Sequence, residues 1–439
     1  MRMTVAALVL ADAPSADVKV VGLTLAERAR RVALKAGATT ALVARDRAAI
    51  ADWWRAAGCD RLLVIRATDQ LVHTPLVAPL IASDSTRAVA VAPADAVATD
   101  VAAGAPVGAM IVRGDAATRV IAGLAAGDDD RQLAAALLAE GAEPIAHERI
   151  ARHPAVSRAE RAAAAALLYE IIHKHQDNAI TRYLFRPVSI AMTRVLVRTP
   201  ITPNQVSCVT AILVVLGCWL TAHAGMRYAI AGTAVMLGAA YVDCCDGEIA
   251  RLKLLSSKFG AWLDTVVDEL SQVAYMIALG LHVRAHFGVD YFGHRGFDPW
   301  ELAIVVGVIT YAITIYCVYW NIVVLVGSAN SQDYVGRFEI APGERPGTAR
   351  LRPVTTAAIV LPPDTHPVIR WLATYAPYVV RKDFISWGAL VLAAVHLTQI
   401  TFGLLVVGGV LSATVVTIDH VRARLQLSEL RRRELSLVR

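Results

Sequence analysis

The chain is poor in aromatics and in charge. Phe, Trp and Tyr make up 6% of its 439 residues, and Asp, Glu, Lys and Arg 18%. Its six cysteines, Cys59, Cys208, Cys218, Cys244, Cys245 and Cys317, show no metal-ligand spacing. All but Cys59 fall inside apolar runs, and adjacent Cys244 and Cys245 make a poor disulfide, so small buried thiols in a reducing setting are expected. The opening MRMTVAALVLADAP lacks a signal-peptide pattern, because an acidic residue follows its short apolar run at once. No Arg/Lys stripe with interleaved aromatics occurs, which argues against nucleic acid as a partner. The net charge of +6 suits a protein lying against an anionic leaflet instead. No internal repeat is evident.

Apolar residues, by contrast, are abundant: they make up 56% of the chain, and mean hydropathy is +0.50. The excess is uneven. Residues 1–150 read as soluble, with short β-like runs at 5–11, 39–45, 61–67, 87–92 and 108–114. Helix-like segments such as TLAERARRVALKAG (24–37) lie between them, so an α/β domain with a mainly parallel sheet is expected. Trp53 and Trp54 are expected to pack a helix on its core. An Ala-rich connecting helix follows at 155–175, then an interfacial amphipathic helix at 177–199 carrying Arg182, Arg186, Arg194 and Arg198. Arg182 and Arg186 could reach a phosphate or lipid headgroups, and His173, Lys174 and His175 form a solvated polar cluster.

Six apolar segments come after residue 204, at 205–224, 228–246, 261–282, 302–327, 384–399 and 401–420. A span needs about 20 apolar residues, so an all-α domain of six transmembrane helices is expected. An even number of spans puts both termini on one side. The arginines of the tail and of 328–382 make that side the cytoplasm. Arg381 and Lys382 before the fifth span read as a positive anchor or an acceptor-phosphate contact.

Into this apolar half fall four aspartates. Asp243 and Asp246 are three apart at the cytoplasmic end of the second segment, and Asp264 and Asp268 four apart at the start of the third. On a helix each pair shares a face. An Asp within a span costs about 2.5–3.5 kcal/mol on an insertion scale, so four need a compensating cation. Arg251, Lys253 and Lys258 are too few and too near the interface to neutralise the set alone. An all-oxygen cluster without His suits a hard divalent ion, Mg²⁺ or Mn²⁺.

The pattern Asp243-x2-Asp246-Gly247-x2-Ala250-Arg251-x8-Gly260-x3-Asp264-x3-Asp268 resembles the full signature of the CDP-alcohol phosphotransferase (CDP-alcohol phosphatidyltransferase) family. The resemblance covers about 177–422, including RTPITPNQVS before the first segment. It implies a six-span integral membrane enzyme that moves a phosphoalcohol from a CDP-alcohol donor to a hydroxyl acceptor and releases CMP. Asp243, Asp246, Asp264 and Asp268 would hold divalent metal, two ions in all, and Asp268 would also be the general base. Gly247, Ala250 and Arg251 would contact the CDP, and Gly260 would keep the pocket open. A homodimer is a further family expectation.

The N-terminal half looks similar to a sugar-nucleotidyltransferase domain through residues 7–43 and through IRATDQLVHTPLVAPLI (65–81), which brings Asp69 to the place of a metal ligand. Where that family has a Gly-rich, Arg-containing phosphate loop, this chain has ADAPSAD (11–17). Without glycine the backbone does not easily wrap a triphosphate. His153 stands where a second metal-binding Asp is expected. An inactive domain that docks on the membrane half is therefore expected, and an active one is the alternative. This order of domains resembles the bifunctional enzymes that make CDP-inositol and then di-myo-inositol phosphate phosphate. One departure is Glu269 directly after Asp268, where that subgroup has a basic residue. The donor is then a CDP-alcohol such as CDP-inositol, and the acceptor either a lipid or a polyol phosphate. A CDP-diacylglycerol-dependent phospholipid synthase and a non-catalytic membrane nucleotide-binding protein are the other readings. The expected layout is 1–154 nucleotidyltransferase-like, 155–203 connecting and juxtamembrane helices, 204–422 membrane domain, and 423–439 basic cytoplasmic tail.

Overall fold

In a computed structural model the described residues are 3–94, 101–148, 150–172, 180–290, 298–327, 334–342, 348–354, 366, 382–433 and 436–437. They form two compact units that do not follow chain order. The first holds Met1–Asp177, Ile190–Ile201 and Glu248–Leu255, and the second Asn178–Ser189, Thr202–Gly247 and Ser256–Arg439.

The first unit is built on a six-stranded sheet. Its strands are β1 (Val5–Leu10), β4 (Thr40–Ala44), β5 (Arg61–Arg66), β7 (Arg87–Val91), β8 (Pro106–Arg113) and β9 (Glu143–Ala146), with β2 (Lys19–Val20) and β3 (Leu23–Thr24) forming a small hairpin. The order is β4-β1-β5-β8-β7-β9. Only β8 runs against its neighbours, so the sheet is mainly parallel, as the run-and-helix alternation predicts. All five expected strands and the helix at 24–37 form. Strands β1 and β5 are buried at every position because both faces of the sheet are covered. Val5, Ala7 and Val9 point to one side, against α1 (Leu25–Ala36) and α3 (Thr74–Ala82). Leu8 and Leu10 point to the other, with Ile50 of α2 (Ile50–Ala57) and Val120, Ile121 and Leu124 of α4 (Asp115–Ala126). Trp53 and Trp54 pack on this second core. Helix α1 starts where Thr24 Oγ1 accepts from the Glu27 amide (3.1 Å) and stops at Gly37, whose φ of +117° a side chain would oppose.

Beyond α5 (Asp130–Ala139), strand β10 (Arg152–Pro154) pairs antiparallel with β6 (Gln70–Val72), setting His153 opposite Leu71. Helix α6 (Arg158–Glu170) begins in a capping box between Ser157 and Glu160. The cluster His173–His175 lies outside the described residues. Of α7 (Arg186–Leu196), one face exposes Val188 and Val195 while Ser189 and Thr193 are buried. Arg194 lies over the Tyr169 ring at 5.1 Å. Arg186, expected at a membrane surface, is buried instead.

The second unit is helical: α8 (Pro203–Thr221), most of α9 (Met226–Leu252), α10 (Lys258–Phe287), α11 (Pro299–Asn321), α12 (Lys382–Ala394) and α13 (Thr398–Arg432). Five of its helical stretches are long and apolar enough to cross a membrane. The fifth expected segment is the exception: α12 covers 13 residues, about 20 Å at the helical rise. The arrangement of apolar side chains is that of a bundle in an apolar solvent. Ile212, Val215, Trp219 and Leu411 are each at least 60% exposed. Tyr275, Met276, Leu279, Phe402 and Ala389 are buried between helices. Gly217 and Gly232 let α8 and α9 touch by their backbones, since a Cβ on Gly232 would stand 2.6 Å from the Gly217 carbonyl oxygen. A three-stranded sheet, β11 (Phe338–Pro342), β12 (Thr348–Pro353) and β13 (Ser436–Leu437), adds structure that the basic composition there does not announce. Arg381, the first residue of the expected anchor, lies outside the described residues. None of the six cysteines forms a disulfide.

Candidate active site

Helices α9 and α10 are neighbours in sequence, joined by only Lys253–Ser257. The start of α10 is fixed by Ser257, whose hydroxyl accepts from the Gly260 amide at 2.9 Å. Asp243 and Asp246 stand near the end of α9, Asp264 two turns into α10. Oxygens of these three carboxylates lie within 4.8 Å of one another. Asp246 is buried and accepts from the Ser207 hydroxyl at 2.7 Å, which aims one carboxylate oxygen. Asp243 and Asp264 are half-buried. Asp268, one turn further along α10, is not one of this triad. It shares with Asp243 the wall of a cavity of about 240 Å³ that runs between α8, α9, α10, α12 and α13. Thr210, Thr233, Ser271, Gln272, Tyr275 and Ser386 supply its other polar groups.

Gly260 is closely invested. A Cβ there would stand 2.9 Å from Asn204 Oδ1 and 3.0 Å from Ser257 Oγ, so any side chain would push against the start of α8. Gly247 ends the stretch of α9 that belongs to the second unit. Ala250 and Arg251 fall in the first unit, within Glu248–Leu255. There the last turn of α9 is held by side chains of α1. Arg28 donates to the Leu252 carbonyl at 2.5 Å and Arg31 to that of Lys253 at 2.9 Å. Lys253 Nζ in turn donates to the carbonyls of Thr199 (2.7 Å) and Ile201 (2.9 Å). Burial and the neighbouring Arg31 pull the Arg28 guanidinium down to about 10.

The sequence reading missed Ser207 as a partner of the aspartates. A hydroxyl one turn inside an apolar helix was the available signal, and it lies in the RTPITPNQVS stretch. The three gathered carboxylates are an all-oxygen donor set, which fits a hard divalent cation.

Residues 200–395 match the family model described as CDP-alcohol phosphatidyltransferase. The C-terminal half thus carries a CDP-alcohol phosphatidyltransferase domain. The chain is 33% identical over 131 residues to a bifunctional IPC transferase and DIPP synthase of Aquifex aeolicus, covering 30% of this chain and 28% of that one. It is 38% identical over 117 residues to a protein of the same name from Rubrobacter xylanophilus, 26% of each chain. With an archaetidylinositol phosphate synthase of Pyrococcus horikoshii it shares 36% identity over 91 residues, 19% of this chain and 44% of that one. The chain therefore matches less than half the length of each of these relatives.

The front unit has its own carboxylates, arranged differently. In the loop after β1, Asp17 pairs with Arg45 at 2.6 Å and Asp12 with Arg47 at 2.7 Å. Asp69 pairs with Arg131 at 2.7 Å and with Arg66 at 3.3 Å. Asp130, beside them, is buried, and burial pushes its carboxyl up to about 6 against the opposing pull of Arg66. His153 reaches the same region through the β10–β6 pairing, since the Ala155 amide donates to the Asp69 carbonyl at 3.0 Å.

Proposed function

We propose that the membrane half transfers a phosphoalcohol from a CDP-alcohol, CDP-inositol in the first instance, to a hydroxyl acceptor and releases CMP. The observation that carries this reading is the convergence of Asp243, Asp246 and Asp264 beside the cavity walled by Asp268. Asp243, Asp246 and Asp264 would hold divalent ions, Mg²⁺ or Mn²⁺ and two in number with Asp268 at the second, which when bound offset the charge of the diphosphate and of departing CMP. Asp268 takes the proton of the acceptor hydroxyl. That oxygen attacks the phosphorus next to the alcohol, and the bond to the CMP oxygen breaks. No covalent enzyme intermediate is needed, because phosphoryl transfer asks mainly for positioning and charge. Ser207 holds Asp246 in the geometry that ligation needs. Gly247, Ala250 and Arg251 would meet the CDP, and Gly260 leaves room at the start of α10. Five long helices and the apolar α12 support a six-span bundle, and the arginines of the tail and of 328–382 would put its active site and termini toward the cytoplasm.

The front unit, on this reading, does not transfer a nucleotide. Its phosphate-loop position, residues 11–17, ends in a short turn (Pro14–Asp17), its carboxylates Asp17 and Asp12 are already bound to Arg45 and Arg47, and Asp69 carries guanidinium partners. The names of the relatives favour a second reading in which it makes the CDP-alcohol from CTP.

The test is CMP release by the full chain in lipid with Mg²⁺ or Mn²⁺, with CDP-inositol and CDP-diacylglycerol offered in parallel. Release from CDP-inositol is expected. Release from CDP-diacylglycerol alone would make the protein a phospholipid synthase of the other kind, and release from neither would leave a nucleotide-binding membrane protein. Pyrophosphate formed from CTP would revive the front unit as an enzyme.

A further inference from the structure

A second cavity, of about 380 Å³, lies in the helical unit beside the first, and Gln272, Ile385, Ala389 and Leu405 line both. Its polar end is built on Glu269. One residue after Asp268, Glu269 points about 100° round α10 from it, so the two carboxylates serve different chambers. Tyr311 Oη donates to Glu269 Oε2 at 2.5 Å and Tyr319 Oη to Oε1 at 3.2 Å. The two tyrosines lie on one face of α11 at a spacing of about two turns. Their hydroxyl protons are committed to Glu269. What this group itself offers a ligand is acceptors, the carboxylate lone pairs and two phenol oxygens. Among the described residues lining the chamber there is no Lys, Arg or His. Such a head binds hydroxyl hydrogens and repels phosphate. The rest of the wall is mostly apolar, through Met276, Ile315, Val318, Leu392 and Leu404, with Gln272, Thr314, Thr401 and Ser412 as its uncharged polar groups. Leu404 and Phe384, at the rim, are 57% and 39% exposed on the outer apolar surface. A Cβ on Gly408 would meet nothing within 4 Å, so the wall recedes there.

We propose that this chamber receives the acceptor, and that the acceptor is a lipid whose head carries hydroxyls and no phosphate. It enters from the bilayer and lays its hydrocarbon along α11 and α13. One hydroxyl is anchored on the Glu269–Tyr311–Tyr319 group, and its neighbour is presented past Gln272 to Asp268. This deepens the transfer reading and rests on it.

The experiment uses the full chain in nanodiscs and a photoactivatable monoacylglycerol, whose glycerol head keeps two hydroxyls. Crosslinks mapped by mass spectrometry should fall on α11 and α13. Unlabelled monoacylglycerol should compete, whereas lysophosphatidate and inositol phosphate should not. Gly408→Leu, which fills the void, and Tyr311→Phe should each cut labelling roughly tenfold or more while CDP binding is kept. In turnover, Glu269→Gln should raise KM for monoacylglycerol roughly tenfold with KM for the CDP-alcohol little changed. A merely structural Glu269 would lower stability and leave that KM alone. Labelling outside the chamber, labelling unchanged in both variants, or equal competition by lysophosphatidate would overturn the proposal. Specific labelling without CMP release from any donor would sink the transfer reading and keep the lipid site. CMP release that prefers inositol phosphate would keep the transfer reading and sink the lipid acceptor.

Discussion

The two units treat their carboxylates in opposite ways. In the front unit Asp12 and Asp17 each meet one guanidinium at 2.6–2.7 Å, and Asp69 meets two, Arg131 at 2.7 Å and Arg66 at 3.3 Å. In the helical unit Asp243, Asp246 and Asp264 meet one another within 4.8 Å. A paired acid is an electrostatically closed group that gains little from a further cation. Acids that converge raise one another's energy, and a divalent ion is the efficient remedy. The difference separates a region that has settled its charges internally from one arranged to bind something.

The largest expected effect follows from removing the proposed base. Asp268→Asn should lower CMP release by roughly 10²–10⁴-fold while the protein elutes and melts like the parent. Activity that survives intact would take the base role from Asp268. Chelation comes next. EDTA should abolish CMP release and Mg²⁺ or Mn²⁺ restore it, with a metal-dependent rise in Tm that Asp246→Asn loses. The same treatment should leave the melting of the front unit unchanged, which sharpens the contrast between the units. A smaller effect is expected of Ser207→Ala, which removes the 2.7 Å hydrogen bond to Asp246. Metal affinity should fall by roughly 10–100-fold without loss of the fold. An unchanged affinity would show that Asp246 needs no orienting partner.

The smallest effect concerns Asp130. Its folded carboxyl sits near 6, above the ordinary value of 3.8. Between those values the folded chain binds the extra proton, so stability falls as pH rises from about 4 to about 6. Above that window the penalty is complete, on the order of 2–3 kcal/mol at 1.36 kcal/mol per unit. Asp130→Asn should therefore stabilise the front unit at pH 7 and make no difference at pH 4. Thermal melts of both proteins across that range provide the check; parallel curves would mean that Asp130 titrates normally.

Much of this was legible in the chain. The five strands were readable because each is a short, largely apolar run, four of them buried along most of their length, and the aspartates because carboxylates in apolar helices have few other uses. The spacing of Asp243 and Asp246, and of Asp264, sufficed to bring three acids together. What local pattern does not carry is partnership over distance. Ser207 meets Asp246 across 39 residues, and Tyr311 and Tyr319 meet Glu269 across 42 and 50. Glu269 read only as the loss of a cation, whereas its tyrosine partners make it the head of a chamber. The sheet β11–β12–β13 joins residue 348 to residue 436, a pairing that no window of sequence contains. Arg186 read as a surface cation because its position on an amphipathic pattern said nothing of what packs over it.

The most direct measurement is Mn²⁺ binding to the full chain in lipid by electron paramagnetic resonance, with Asp246→Asn and Asp69→Asn beside the parent. The parent and Asp69→Asn should bind Mn²⁺ alike, and Asp246→Asn should lose it. Binding retained in Asp246→Asn and lost in Asp69→Asn would contradict the account, placing the metal in the front unit and leaving the converging aspartates without their ion.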